Sequence, residues 1–342
     1  MRKKKVLLIV LTIMIASVMV LASCANAPAP SADGGSTATE GSSTDSDSSG
    51  DSGGEAATKD VKLALVIHAL NSSFFAKIGE GAEMAGKDLG IDVTVMAPAT
   101  PNQLTEQVNM IESSIAGGFD GIATTLWDPD GFNAVIKKAQ DQGIMVMGFN
   151  QDSPDSGRTA FIGQENEAAG YMMGKYMFGT VMGGEGSYII ANCAPANTAL
   201  IARREGIQRA QLEYPNIEFL AEVDIGTDLT SAVGVVENAY IAYPEVNAFL
   251  GVDVYSEAIG TFIATQNLNG QVYGAGFDLT EGTLKHVKDN AMQLTIGQNP
   301  FLQGYYPMVQ MFLSKMYGTP LIDMDTGALL VTAENVDEQQ PE

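Results

Sequence analysis

The chain has 342 residues, a length typical of about two domains, and its formal net charge of −23 excludes a protein that binds nucleic acid through a basic face. Its two histidines, His68 and His286, lie far apart and in no metal-ligand motif. The sequence contains no nucleophile elbow, phosphate-binding loop or dinucleotide glycine fingerprint. We therefore expect no catalytic site, metal or cofactor, and we keep an extracellular enzyme acting on sugars as a distant alternative.

The N-terminus has the pattern of an export signal. Four basic residues, Arg2 to Lys5, precede an apolar run from Val6 to about Val20 that is short for a membrane span. The run ends in Leu21-Ala22-Ser23-Cys24, which resembles the lipobox of bacterial lipoproteins. This resemblance implies that residues 1–23 are a signal peptide and that Cys24 carries a lipid anchor on the outer face of the cell membrane, or in the periplasm of a two-membrane cell.

The segment that follows is predicted to be a tether. Residues 25–58 consist almost entirely of Ser, Gly, Ala, Asp, Thr and Pro, without a large apolar side chain. Such a segment cannot bury enough apolar surface to offset its chain entropy, so residues 24–58 are predicted to be a disordered acidic linker. If Cys24 is lipidated, Cys193 has no partner for an intramolecular disulfide, and its apolar surroundings favour a buried small residue.

From Lys59 onward, short β-branched runs alternate with segments of helical period. Apolar residues recur with helical spacing from Ile78 to Leu89 and again from Leu104 to Ile115. This alternation predicts an α/β fold with parallel sheets, and the number of runs favours two Rossmann-like lobes. The predicted strands are Val61–Ile67, Ile91–Met96, Gly121–Thr125, Ile144–Gly148, Ser187–Ala191, Ile217–Val223, Ala248–Gly251, Gln271–Ala275 and Gln293–Ile296.

Polar or aromatic residues follow several of these strands. In open α/β sheets, ligands bind beyond the carboxyl ends of the strands. The pattern therefore predicts one crevice between the lobes, lined by aromatic rings and by groups that form hydrogen bonds. The clusters are Asn71-Ser72-Ser73-Phe74-Phe75, Trp127-Asp128, Asn150-Gln151, Asp253, Asp278 and Gln298.

Residues 60–338 resemble the type I periplasmic sugar-binding proteins, in particular the ribose-binding group. The resemblance rests on the cluster at Asn71, on Asp120-Gly121-Ile122 with Asp128-Pro129-Asp130, on Tyr243-Pro244-Glu245-Val246 with Asp253, on Gly276-Phe277-Asp278, and on Ile296-Gly297-Gln298-Asn299-Pro300. It implies two lobes joined by a three-segment hinge, with crossovers near Gly163, Gln298 and Asp325. The N-terminal lobe would comprise residues 59–163 and 299–325, and the C-terminal lobe residues 164–298 and 326–342.

The same resemblance implies a role for individual residues. Phe74 and Phe75 would lie against the apolar face of a sugar ring, and Arg203, three residues before Gly206, would contact the sugar. The implied ligand-binding residues are Ser72, Phe74, Phe75, Thr125, Trp127, Asn150, Gln151, Arg203, Asp253, Asp278 and Gln298. His68, at the end of the first strand, either borders this pocket or is a structural histidine.

Two positions depart from the ribose-type pattern. Asn150-Gln151 replaces an acidic residue followed by Arg, and Gly206-Ile207 replaces Gly-Phe. Loss of a carboxylate and a guanidinium changes the hydroxyl pattern that fits, so ribose itself is in doubt. We expect a monomeric solute-binding protein that captures a monosaccharide for the permease of an ABC importer and closes on it by hinge bending. The alternatives are a non-sugar solute (a furanosyl signal molecule, a polyol or a nucleoside) and a sensor subunit that presents its ligand to a receptor.

Overall fold

The computed structural model describes residues 60–69 and 73–341, which belong to one compact unit. The predicted signal peptide, Cys24, the tether and Ser72 lie outside the described residues. Two six-stranded sheets form the framework of the described part. The fold class predicted from the sequence is confirmed: an α/β protein with two lobes of Rossmann type.

The first sheet has the strand order β11-β5-β4-β3-β1-β2, and all neighbouring strands are parallel. Its strands are β1 (Lys62–Val66), β2 (Asp92–Met96), β3 (Gly121–Thr124), β4 (Met145–Phe149), β5 (Ala160–Gly163) and β11 (Met324–Asp325). The helices of this lobe are α1 (Ser73–Leu89), α2 (Leu104–Ala116), α3 (Asn133–Asp141) and α9 (Pro300–Tyr317). One apolar core joins the sheet to α1 and α9, and a second joins it to α2 and α3.

The second sheet repeats this plan with the strand order β12-β10-β9-β8-β6-β7. Its strands are β6 (Glu185–Asn192), β7 (Asn216–Asp224), β8 (Ala248–Gly251), β9 (Tyr273–Phe277), β10 (Leu294–Gly297) and β12 (Leu329–Thr332), the last of which is antiparallel to β10. The helices are α4 (Asn166–Lys175), α5 (Thr198–Gln211), α6 (Leu229–Ala242), α7 (Glu257–Thr265) and α8 (Glu281–Lys288). A six-residue π-helix, Tyr176–Val181, continues from α4.

Each lobe contains one helix pair in very close contact. A Cβ atom at Gly206 of α5 would lie 2.0 Å from the carbonyl oxygen of Glu167, the second residue of α4. A Cβ atom at Gly304 of α9 would lie 1.8 Å from the carbonyl oxygen of Ile78 in α1. Glycine at these positions lets the backbones of the paired helices touch.

The chain passes between the two sheets three times: after β5, between β10 and α9, and between β11 and β12. Short strands were missed at two of these passages. The sequence analysis did not predict β5, β11 or β12, and it placed β9 two residues too early, at Gln271 instead of Tyr273. Within residues 60–69 and 73–341, no helix is both long enough and apolar enough to span a bilayer.

Candidate functional site

A cavity of about 80 Å³ lies between the lobes, at the carboxyl ends of the parallel strands. This space is several times the ~10–15 Å³ that one enclosed water needs. Each lobe supplies part of the wall. The lining residues are His68, Ala69, Phe74, Phe75, Pro101, Asn102, Asn150, Gln151, Cys193, Ala194, Asn197, Ala199, Leu200, Arg203, Thr227, Asp253, Val254, Tyr255, Asp278 and Gln298.

The structure brings together eight of the eleven residues predicted to bind ligand. Ser72 lies outside the described residues, and Thr125 and Trp127 do not line the cavity. The eight that line it are Phe74, Phe75, Asn150, Gln151, Arg203, Asp253, Asp278 and Gln298.

Thr125 and Trp127 lie behind the wall because their polar atoms are already paired. Gln107 Nε2 donates to Thr125 Oγ1 at 2.9 Å and to the Thr125 carbonyl at 2.8 Å, while the Trp127 indole donates to Gln107 Oε1 at 2.8 Å. The Trp127 ring packs edge-on against His68, with ring centroids 5.4 Å apart. In this structure the two residues lie outside the cavity lining, and their ligand contact stays a prediction.

The N-terminal part of the wall is electrically neutral. His68 is 5% exposed, and its burial lowers the imidazole pKa to about 4, an effect that a hydrogen bond with Asn102 partly opposes. The imidazole is therefore uncharged at neutral pH. Its ring lies 5.5 Å from that of Phe75.

Two polar atoms of this neutral wall have no hydrogen-bond partner. His68 Nδ1 and Gln151 Oε1 are both buried and unpaired. A buried polar atom without a partner costs about 1–3 kcal/mol, so each one calls for an explanation. Three others in the described residues, on Asn133, Arg204 and Gln310, lie away from the cavity. His68 and Gln151 line the cavity, where hydroxyl groups of a ligand would be within reach of their unpaired atoms.

The C-terminal part of the wall carries charge. The Arg203 guanidinium is 4% exposed, lies 3.9 Å above the centre of the Phe277 ring, and donates to Asn166 Oδ1 at 2.8 Å and to the Val252 carbonyl at 2.9 Å. Stacking and these two bonds fix its plane. Burial lowers the pKa of Arg203, and the charges of Asp278 and Asp253 oppose this effect.

The two carboxylates of the site differ in their partners. Asp253 begins a short 3₁₀ turn, where its oxygens accept the backbone N–H groups of Cys193 at 2.7 Å and Tyr255 at 2.8 Å. Burial raises the pKa of the Asp253 carboxyl to about 6. Asp278 Oδ1 accepts a hydrogen bond from Gln298 Nε2 at 2.5 Å, and burial raises its pKa against the opposing charge of Arg203.

Sequence reasoning missed several residues of the wall. Asn102, Asn197 and Tyr255 line the cavity without having been predicted, and Cys193 was expected to be a buried residue without a functional position. Asn197 is held as the N-cap of α5, where its Oδ1 accepts the N–H of Ala199 at 3.0 Å. The positive φ of Asn102, 62°, is the kind of signal that only the structure supplies.

The lobes also touch directly beside the cavity. Thr198, the first residue of α5, donates its backbone N–H to the Trp127 carbonyl at 3.2 Å and its Oγ1–H to the Leu126 carbonyl at 3.1 Å. These carbonyls belong to the loop after β3. The contact joins the two lobes next to Asn197, a residue of the cavity wall.

The arrangement offers the groups needed to bind a small polar solute. Within the part of the chain that the structure describes, no group of three or more His, Cys, Asp or Glu side chains is placed to hold a metal ion. Burial raises the pKa of the Cys193 thiol well above its usual range, which opposes formation of a nucleophilic thiolate. The wall instead offers fixed donors, acceptors and two phenyl rings.

A family profile described as the periplasmic binding protein domain matches residues 63–314, and the chain belongs to this family. The xylose/arabinose-binding protein XylF of Sulfolobus acidocaldarius is 26% identical over 294 residues, which cover 80% of this chain and 72% of that protein. The ribose import binding protein RbsB of Salmonella typhimurium is 27% identical over 240 residues, 70% of this chain and 79% of that protein.

A solved structure agrees with this membership. An ABC transporter solute-binding protein from Burkholderia graminis, in complex with D-arabinose, superposes with a TM-score of 0.78 and 28% identity, over 82% of this chain and 98% of that one. The resemblance to periplasmic sugar-binding proteins inferred from sequence motifs is thereby confirmed.

Proposed function

We propose that this protein captures a monosaccharide between its two lobes and delivers it to the permease of an ABC importer. One observation carries the proposal: His68 Nδ1 and Gln151 Oε1 are unpaired, buried, and line the same cavity as Arg203 and Asp278. A sugar presents an apolar C–H face and a rim of hydroxyls. The two phenyl rings suit the face, and the two unpaired polar atoms and the fixed charged groups suit the rim.

The named relatives support an aldopentose as the first class to test. Xylose, arabinose and ribose appear in their descriptions, and D-arabinose is bound in the similar solved structure. The loss of an acid and an arginine at Asn150-Gln151 leaves this wall neutral, so a sugar acid or sugar phosphate would find no free cation there. A neutral sugar is therefore the expected ligand.

The proposal extends to the anchor, the lobes and the assembly state. Cys24 would carry the lipid, residues 25–58 would form the tether, and the protein would act as a monomer outside the cytoplasmic membrane. Residues 59–163 with 299–325, and 164–298 with 326–342, would move as the two lobes. Mass spectrometry of the mature N-terminus tests the anchor: we expect a diacylglyceryl adduct on Cys24 that is lost in Cys24→Ala.

A thermal-shift screen of ligand-free protein against pentoses, hexoses, deoxysugars, polyols and nucleosides tests the ligand class. Tight binding to the folded state raises the melting temperature by mass action, with about 2.7 kcal/mol of added stability at a ligand concentration one hundred times Kd. We expect a large shift with an aldose. A shift with nucleosides or polyols alone would replace the monosaccharide with that class.

A further inference from the structure

Two buried glutamines lie on or next to the passages between the lobes. Gln164 follows β5 on the first passage and is 1% exposed. Gln303 is the fourth residue of α9, after the second passage, and is fully buried. Neither was singled out by the sequence, and neither lines the cavity. Both form hydrogen bonds with a cavity residue at one end of the amide and with the passages at the other.

Gln164 connects Arg203 to the other two passages. Its Oε1 accepts a hydrogen bond from Arg203 Nη2 at 3.2 Å. Its Nε2 donates to the carbonyl of Gly297, on the second passage, at 3.1 Å and to the carbonyl of Gly327, on the third, at 3.2 Å. One planar side chain therefore joins all three passages to a cavity residue of the C-terminal lobe.

Gln303 makes the corresponding connection for the N-terminal lobe. Its Oε1 accepts from Asn150 Nδ2 at 2.9 Å, and its Nε2 donates to the Gln298 carbonyl at 2.9 Å and to Thr326 Oγ1 at 3.2 Å. Thr326 Oγ1 in turn donates to the Gln298 carbonyl at 2.9 Å. The second and third passages are thus tied to Asn150.

The chemistry of a primary amide explains the choice of residue. It offers two donors and an acceptor from one neutral, planar group, so it can be buried among carbonyls without the desolvation cost of a charge. A carboxylate at residue 164 would still accept from Arg203. It would, however, set oxygen against the carbonyl oxygens of Gly297 and Gly327.

We propose that Gln164 and Gln303 are positioning residues that connect the ligand-facing Arg203 and Asn150 to the hinge, so that the lobes close in the register that the ligand requires. The inference rests on the proposed capture of a ligand between the lobes. Rotation of the lobes must change the backbone at the three passages. These bonds therefore link that change to the orientation of one cavity side chain in each lobe.

The test uses Gln164→Met and Gln303→Met, which keep the side-chain length and remove the amide. Gln211→Met is the matched control, because the Gln211 amide also bridges two groups, accepting from Tyr188 Oη and donating to the Ile217 carbonyl, but lies away from the passages. Kd and the dissociation rate are measured for D-arabinose, D-xylose and D-ribose on the whole purified protein, with melting temperatures recorded in parallel. Small-angle scattering of the ligand-free proteins reports lobe opening.

We expect both hinge variants to bind the sugar about tenfold to a hundredfold more weakly, mainly through faster dissociation, and to show a larger radius of gyration without ligand. The control should lower the melting temperature with Kd unchanged. Unchanged Kd in the hinge variants, or equal weakening in the control, would overturn the proposal.

Gln164→Glu separates the two ends of the amide. It keeps the acceptor for Arg203 and loses both donors to the passages, so we expect weakening comparable to that of Gln164→Met. Affinity equal to that of the unmodified protein would show that the passages are not coupled through this residue. If the unmodified protein bound none of the three sugars, the proposed ligand class would fail, and scattering alone would decide: an unchanged radius in both hinge variants would reject the hinge role.

Discussion

Asn150 and Asp278 are equivalent residues of the two lobes. Each directly follows a strand at the same place in its sheet, β4 or β9, and each has a left-handed backbone, with φ of 61° and 71°. The Gln298 amide joins them, because its Oε1 accepts from Asn150 Nδ2 at 3.2 Å and its Nε2 donates to Asp278 Oδ1. Left-handed backbone conformations are rare for residues other than glycine, and they cluster at functional sites. Here they aim one polar group from each lobe into the cavity.

The carboxylate of Asp278 gives the first prediction. In Asp278→Asn the oxygen that accepts from Gln298 is kept, while the negative charge that faces the ligand and Arg203 is lost. Charge-assisted hydrogen bonds contribute about 1.5–3 kcal/mol, so affinity for the sugar should fall by at least about tenfold. Calorimetric titration measures this. Glu281→Gln, an exposed carboxylate three residues away, is the control and should bind normally.

Arg203→Lys tests the fixed guanidinium. A lysine cannot reproduce the fork that bonds Gln164, Asn166 and Val252, and its ammonium does not stack as a plane on Phe277. We expect a loss of affinity of about a hundredfold, corresponding to roughly 3 kcal/mol. Arg209→Lys is the control, since Arg209 is exposed and pairs with Glu167 on the surface. Equal affinity of the two variants would show that the Arg203 guanidinium does not contribute to ligand binding.

Because His68 is buried, we expect it to contribute to the pH dependence of the free energy of unfolding. Its folded-state pKa is about 4, while an unfolded histidine titrates near 6.5, so between these values the unfolded chain binds a proton that the folded protein does not. The stability that this difference contributes is present above pH 6.5 and is lost as the pH falls towards 4. Between pH 7 and pH 4.5 the free energy of unfolding of His68→Phe should therefore fall less than that of the unmodified protein, and the difference should be roughly 2–3 kcal/mol.

Urea unfolding of the ligand-free proteins at the two pH values provides the measurement. Comparison with the unmodified protein is needed because Asp253 has the opposite pH dependence. Its folded-state pKa is raised to about 6, so its contribution to the free energy of unfolding decreases as the pH rises through this window. His286→Gln is the control. His286 is half-buried, so its imidazolium reaches water and a smaller effect is expected. Identical pH dependence of His68→Phe and the unmodified protein would contradict burial of a neutral imidazole.

The close helix contact in the C-terminal lobe makes a prediction about stability. In Gly206→Ala the new methyl group would lie 2.0 Å from the Glu167 carbonyl oxygen, so α5 must move away from α4. Overpacking of this kind costs about 1–3 kcal/mol, and the displaced α5 should also weaken ligand binding through Arg203. Urea unfolding and titration measure the two effects.

Gly234→Ala is the matched control for that substitution. Gly234 lies within α6, where an added Cβ has no atom within 4 Å. Alanine should stabilise the helix there by about 0.5–1 kcal/mol. A Gly206→Ala protein as stable as this control would show that the two helices are not in contact as described.

The two-lobe fold could be predicted because its signals are local. β1, β3, β4, β6 and β8 are apolar runs buried on both faces, and the helical spacing in α1 and α2 places their buried residues on one side. β5 is an apolar run of the same kind, buried in all four residues, and was missed although its signal is local. β11 and β12 could not be predicted in the same way. β11 has only two residues, and β12 is formed by pairing with β10 and not by a strong pattern of its own.

The predicted site residues also fall into two groups: those that local motifs placed correctly, and those whose position depends on long-range contacts. Phe74, Asp278 and Gln298 follow strands or begin helices within distinctive motifs, so their place at the carboxyl edge of a sheet could be inferred. Thr125 and Trp127 follow a strand too, but the Gln107 amide, eighteen to twenty residues earlier, occupies their polar atoms. Such a long-range pairing leaves no local trace in the sequence. The hinge role proposed for Gln164 and Gln303 depends on similar long-range bonds.

Calorimetric titration of the ligand-free protein with D-arabinose, D-xylose and D-ribose, run beside Asp278→Asn, tests the central claim most directly. We expect one binding site per chain for at least one of these sugars, with affinity reduced at least about tenfold in the variant. Absence of heat with all three, in protein shown to be folded and ligand-free, would contradict a binding site for a neutral aldopentose. Equal affinity of the variant would place the sugar outside the cavity between the lobes.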